Sequence, residues 1–207
     1  MTDTATIYIV DDDAMFARGL ARLVGAAGLR AEVFASATDF LASVKDDDAG
    51  CVLLDVRMPA MKGPELHRTL LERQIGLPVI YLTGHGDVPT SVDAMKRGAV
   101  DFLEKPVTKD RLLGTIRQAL ARDAEQRERR RERDAMRARV AILTPREHEV
   151  MEHVIAGRLN KQVAADLGIS LKTVKAHRAK VMEKMHARSV PDLVAMCRAA
   201  GIKARAE

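Results

Sequence analysis

Four sites along this chain carry side chains that together suit the chemistry of a phosphoryl group. Asp11, Asp12 and Asp13 directly follow the apolar run Ile7 to Val10, and Asp55 directly follows Val52-Leu53-Leu54. Thr83 follows Val79 to Leu82, and Lys105 follows Asp101 to Glu104. Carboxylates brought together repel unless protonated or neutralised, and their hard oxygens favour Mg²⁺. A carboxylate can act as the nucleophile, while a hydroxyl and an ammonium beside it suit phosphoryl oxygens. Each residue also has a plainer reading. Asp13 could cap a helix, Thr83 could close a hydroxyl turn, Lys105 could be a solvated charge, and Asp55 alone is ordinary.

What raises the set above its parts is the kind of element that precedes each member. Up to about residue 120, short apolar runs alternate with amphipathic stretches, beginning with a strand over Thr6 to Val10 and a helix over Ala14 to Ala27, ended by Gly28. Further strands are expected at Ala31 to Phe34, Cys51 to Asp55, Pro78 to Leu82 and Asp101 to Glu104. Helices are expected near 36–45, 63–74, 88–97 and 108–121. Five such units make a doubly wound α/β domain, a parallel sheet covered on both faces, whose functional groups gather at the strands' carboxyl ends. All four sites sit at such ends.

Charge divides the chain. The net charge is +5 overall, but residues 1–120 hold 14 Lys and Arg against 17 Asp and Glu. Residues 121–139 hold 8 against 5, and residues 140–207 hold 12 against 7. A basic second half favours nucleic acid as its partner. Between the halves, 121–139 is rich in Ala, Glu, Gln and Arg, with pairs such as Asp123 and Arg127 at helical spacing. It reads as a charged, partly helical, solvated linker, and its acids weigh against a basic DNA-binding arm. No run of roughly 18 apolar residues appears, so a cytoplasmic protein without a membrane anchor is expected. Cys51 and Cys197 have no metal-ligand spacing and read as reduced, buried thiols.

Beyond Ile142 the apolar pattern is wholly helical, and four short helices are expected to form a bundle. Thr144-Pro145-Arg146-Glu147 is a capping box, Asn160 is placed to cap a second helix ending at Gly168, Ser170 a third, and Ser189-Val190-Pro191-Asp192 opens a fourth. Residues 160–185 have the proportions of a helix-turn-helix. Val174, Val181 and Met185 share one stripe of its second helix, while small and basic residues occupy the other side. Such a face can enter a major groove, or be merely the solvated side of an amphipathic helix.

Residues 1–120 resemble the receiver domain of bacterial two-component response regulators. The matching stretches are Ile9-Val10-Asp11-Asp12-Asp13, Leu54-Asp55-Val56-Arg57-Met58-Pro59, Leu82-Thr83-Gly84-His85-Gly86 and Phe102-Leu103-Glu104-Lys105-Pro106. Leu143-Thr144-Pro145-Arg146-Glu147, Asn160-Lys161-Gln162-Val163-Ala164 and Thr173-Val174-Lys175-Ala176-His177-Arg178 resemble a LuxR-type helix-turn-helix domain. The whole chain is thus similar to FixJ/NarL-family transcriptional regulators, on the FixJ-like branch.

That resemblance implies that Asp55 accepts a phosphoryl group from a cognate sensor histidine kinase. Mg²⁺ would be held by Asp11, Asp12, Asp55 and the Arg57 backbone carbonyl. Thr83 and Lys105 would bind the phosphoryl group, Lys105-Pro106 would be cis, and Phe102 would stand at a switch position often held by Tyr. Lys175, Ala176 and Ala179 would face bases, and Lys161, Thr173, His177 and Lys180 the DNA backbone, although His177 could equally be a packed helix residue. Segment Val88 to Phe102 would form a homodimer face on phosphorylation, for promoter binding and contact with RNA polymerase, usually to activate. Catalysis would be limited to self-phosphorylation and autodephosphorylation at Asp55. Two rivals remain: a Mg²⁺-dependent phosphohydrolase, which usually has an acid where this chain has Arg57, and an interaction module that never touches DNA.

Overall fold

A computed structural model describes residues 5–84 and 95–202. The helix expected near 88–97, His85 and Gly86 of the Thr83 loop, and much of the Val88 to Phe102 segment lie partly or wholly outside the described residues. The chain divides into two compact units, Met1–Arg127 and Glu128–Glu207.

The first unit is built on five parallel strands, β1 (Thr6–Val10), β2 (Arg30–Phe34), β3 (Gly50–Asp55), β4 (Val79–Thr83) and β5 (Asp101–Glu104), in the order β2-β1-β3-β4-β5. Alternate side chains of an apolar strand point to opposite faces, so each face needs a cover. Tyr8, Val10, Val52, Leu54 and Tyr81 pack with Phe40 of α2 (Ala37–Ser43) and with Leu66 and Leu70 of α3 (Gly63–Glu72). On the other face, Ile7, Ile9, Leu53, Ile80 and Leu82 pack with Leu20 and Val24 of α1 (Ala14–Ala26) and with Leu112 and Ile116 of α4 (Lys109–Ala141). The doubly wound sheet expected from the sequence therefore forms. Strand order reverses about β1, which has β2 on one side and β3 on the other, opening a crevice at the carboxyl ends of β1 and β3.

Helix α4 is continuous through the stretch read as a solvated linker, and the expected boundaries at 120/121 and 139/140 both fall inside it. That stretch is not wholly solvated. Asp123 is 5% exposed, and its carboxylate accepts the Gly50 amide at 3.0 Å, while Arg127 donates to the Asp47 carbonyl. Farther along, Met136 is buried in the core of the second unit.

That second core is enclosed by α5 (Pro145–Ile155), α6 (Asn160–Leu167), α7 (Leu171–Lys184) and α8 (Val190–Ala199), with Val150, Val163, Val174, Val181 and Leu193 among its buried members. The Thr144 capping box forms, and Ser170 and Ser189 cap as expected. Asn160 does not cap. Leu159 holds the cap position, its amide bound by Gln162, because the Asn160 side chain is engaged by Arg178 of α7 at 2.7 Å.

Glu147 closes the capping box and also accepts from Lys184 at 2.5 Å. The Lys184 hydrogen bond and the Thr144 amide hold its carboxyl down to about 2. A depressed folded-state value means stability fully present above the ordinary value near 4.5 and lost as pH falls through about 2. Glu147→Gln is therefore expected to melt earlier than the wild type at pH 7, with the difference closing between pH 4.5 and 2. Thermal unfolding across that range checks this; a gap independent of pH would contradict it.

Candidate functional site

The register that aligns Val10 with Leu54 carries both strands into acidic residues at the same edge, Asp11 after β1 and Asp55 at the end of β3. Here Asp11, Asp12, Asp13, Asp55, Arg57, Thr83, Gly84 and Lys105 line one cleft of about 230 Å³. Residues from four segments of the chain, chosen by their strand-end positions, meet in one place.

Lys105 organises the cleft. Its ammonium donates to Asp11 Oδ2 at 2.6 Å and to Asp55 Oδ1 at 2.7 Å, tying together carboxylates that are 1% and 6% exposed. Its backbone amide donates to the Thr83 carbonyl, and Lys105-Pro106 is cis. Burial alone would lower the Lys105 ammonium, but its bonds to the two carboxylates outweigh that and raise it above its ordinary value, so it stays charged. Burial also raises the Asp11 carboxyl, against the pull of Lys105 and the Asp13 amide.

Asp55 Oδ2 accepts the Arg57 amide at 2.6 Å. With Lys105 on the other oxygen, the carboxylate is held in one orientation. Close packing supports it from below: a Cβ on Gly63, the first residue of α3, would stand 2.3 Å from the Asp55 carbonyl oxygen. Thr83 is 2% exposed at the end of β4. Phe102 is half-buried beside Tyr81, with ring centroids 6.1 Å apart, and Tyr81 meets the buried His67 at 3.1 Å.

Asp13 is the N-cap of α1, its Oδ1 accepting the Met15 and Phe16 amides at 2.9 and 3.0 Å, and those bonds lower its carboxyl. Lys105 is not a solvated charge, its side chain being 18% exposed. Phe16 was not singled out in the sequence, yet its ring lies 4.2 Å from the Lys105 ammonium. The only signal was its place in the helical turn that Asp13 caps.

The donor set fits Mg²⁺. Asp11, Asp12 and Asp55 bring hard, anionic oxygens to one cleft, and Mg²⁺ usually keeps several waters and needs only one or two carboxylates. Among the described residues no three acidic, His or Cys side chains already meet at ligating distance, and Lys105 stands between two of the carboxylates.

In the second unit, Lys175, Ala176, Ala179 and Lys180 are exposed along α7, opposite the buried Val174 and Val181, and Thr173 and His177 are half-buried. Thr173 is tied to the Ser170 cap, its hydroxyl 2.8 Å from that of Ser170. Lys161 is exposed in the first turn of α6. The Arg178–Asn160 bond, which joins the two helices of the helix-turn-helix, was not foreseen.

Comparisons with known proteins bear on both units. The family described as "Response regulator receiver domain" matches residues 7–117, and "Bacterial regulatory proteins, luxR family" matches residues 141–197. The chain is 45% identical to Response regulator protein TmoT of Ectopseudomonas mendocina over 92% of this chain and 86% of that one. It is 43% identical to Transcriptional regulatory protein FixJ of Azorhizobium caulinodans over 98% and 96%. Among solved structures, it is similar to the response regulator StyR, with 40% identity, a TM-score of 0.84 and coverage of 94% and 98%. Full-length FixJ from B. japonicum matches with 42% identity, a TM-score of 0.59 and coverage of 97% and 99%.

Proposed function

The chain belongs to the two-component response regulators with a LuxR-type DNA-binding domain, transcription factors rather than classical enzymes, and from that premise we propose that phosphorylation of Asp55 controls its binding to DNA. The observation that carries the reading is the Lys105 ammonium held between Asp11 and Asp55 in the strand-end cleft. In this reading residues 1–120 are the receiver, 121–139 a charged helical linker and 140–207 the DNA reader.

One Asp55 oxygen bonds to phosphorus as the P–N bond of a kinase phosphohistidine breaks; that bond's electron pair stays on the imidazole, which takes a proton. The Arg57 amide orients the nucleophile, and Lys105 and Thr83 receive the phosphoryl oxygens. Asp11, Asp12, Asp55 and the Arg57 backbone carbonyl would hold Mg²⁺, which supplies neutralisation of phosphoryl charge. Autodephosphorylation at Asp55 ends the signal.

The added charge draws on Thr83, with Phe102 as the switch residue, and favours a homodimer that presents two copies of α7 to a two-fold site. Lys175, Ala176 and Ala179 face bases; Lys161, Thr173, His177 and Lys180 face the backbone. The output is promoter activation through RNA polymerase, in the cytoplasm. Among the described residues no helix is long and apolar enough to cross a membrane.

Footprinting on the gene's own upstream DNA tests this reading. Lys175→Ala is expected to weaken binding by about tenfold, the loss of one base-edge contact. Unchanged affinity would remove Lys175 from the interface, and no footprint would favour an interaction module.

A further inference from the structure

Resting on the reading of Asp55 as phosphoacceptor, we infer that Phe16 is a positioning residue for Lys105, holding its ammonium by the face of the ring while Asp55 changes chemical state. An ammonium has three N–H donors. Two are used on Asp11 and Asp55, and the Phe16 ring stands 4.2 Å from the same nitrogen, well inside the roughly 6 Å reach of a cation–π contact.

The ring is fixed by the loop that also carries Asp11. Asp13 Oδ1 accepts the Phe16 amide at 3.0 Å, and the Asp13 amide donates to Asp11 Oδ1 at 2.9 Å. Phe16 packs against the core beneath α1. Two of the three partners of the Lys105 ammonium, Asp11 and Phe16, therefore belong to one hydrogen-bonded turn, and only the third, Asp55, is altered by phosphorylation.

When an Asp55 oxygen bonds to phosphorus, its carboxylate charge passes to the phosphoryl group, and the ammonium must shift from one to the other. The ring has no directional acceptor to be broken in that shift. It keeps one side of the ammonium out of water, where a long, flexible side chain would otherwise gain hydration. A leucine would fill similar space but offers no ring quadrupole.

The test is the labelling rate of the full chain with acetyl phosphate and Mg²⁺. Phe16 is replaced in turn by 4-fluoro-, 3,5-difluoro- and 3,4,5-trifluorophenylalanine, which weaken the ring quadrupole stepwise at nearly constant shape. The logarithm of the rate is expected to fall steadily along the series, by about fivefold at the end, with Phe16→Leu as slow and Phe16→Trp restoring the rate. Melting temperatures serve as the structural control. Rates that stay flat across the fluorinated series overturn the inference while leaving Asp55 phosphorylation intact. A wild-type chain that takes no label overturns the phosphoacceptor reading, and this inference with it.

Discussion

Asp55→Asn is expected to lower labelling by acetyl phosphate or by the kinase at least about 100-fold, because a carboxamide is not a competent nucleophile in this reaction. A second consequence follows from the geometry. Asp55 accepts two donors, Lys105 on Oδ1 and the Arg57 amide on Oδ2. Asparagine has only one acceptor oxygen, so either orientation sets its NH₂ against a donor. The variant is therefore expected to lose stability as well, by about 1–3 kcal/mol. Circular dichroism and melting establish that it is folded, and phosphate measurement then reads the chemistry. Acid-labile label persisting in folded Asp55→Asn would place the acceptor elsewhere.

The largest expected effect on stability lies at the other end of the same strand. Gly50 opens β3 with φ of +143°, and a Cβ there would stand 1.8 Å from the Thr6 carbonyl oxygen, its neighbour in the sheet. The Thr6 atoms nearest that Cβ all belong to the backbone, so no side chain can yield. Its amide donates to the buried Asp123 carboxylate, so displacing Gly50 also takes a hydrogen bond from that group. Gly50→Ala is expected to cost at least about 3 kcal/mol, combining backbone strain with lost hydrogen bonding. Gly76, where an added Cβ meets nothing within 4 Å, is the control, and Gly76→Ala should stay within about 1 kcal/mol. Denaturant titration compares them; equal stabilities would show that β1 and β3 separate at Gly50 without cost.

These two positions mark what was legible in the sequence and what was not. Asp11, Asp55, Thr83 and Lys105 were found because each follows an apolar run, and a parallel sheet gathers the ends of such runs. Phe16, Gly50 and Gly63 were missed because their roles are close approaches between distant segments, which no local pattern records. For Gly50 in particular the constraint comes from Thr6, 44 residues earlier in the chain. Asp123 and Arg127 show a related limit. Their helical spacing suggested a solvated ion pair, but Asp123 is buried against Gly50, where the Arg127 charge still favours its carboxylate, and Arg127 also reaches the Asp47 carbonyl. Asn160 has the residue type and position of a cap, and only the neighbouring helix shows that Arg178 has taken its side chain.

The central claim is that Asp55 governs the DNA-binding domain. The most direct measurement is the affinity of the full chain for its own upstream DNA, at fixed salt, with and without acetyl phosphate and Mg²⁺, in wild type and Asp55→Asn. Phosphorylated wild type is expected to bind at least about tenfold more tightly, a coupling of about 1.4 kcal/mol, with Asp55→Asn unresponsive. Equal affinities for phosphorylated and unphosphorylated wild type would contradict that control.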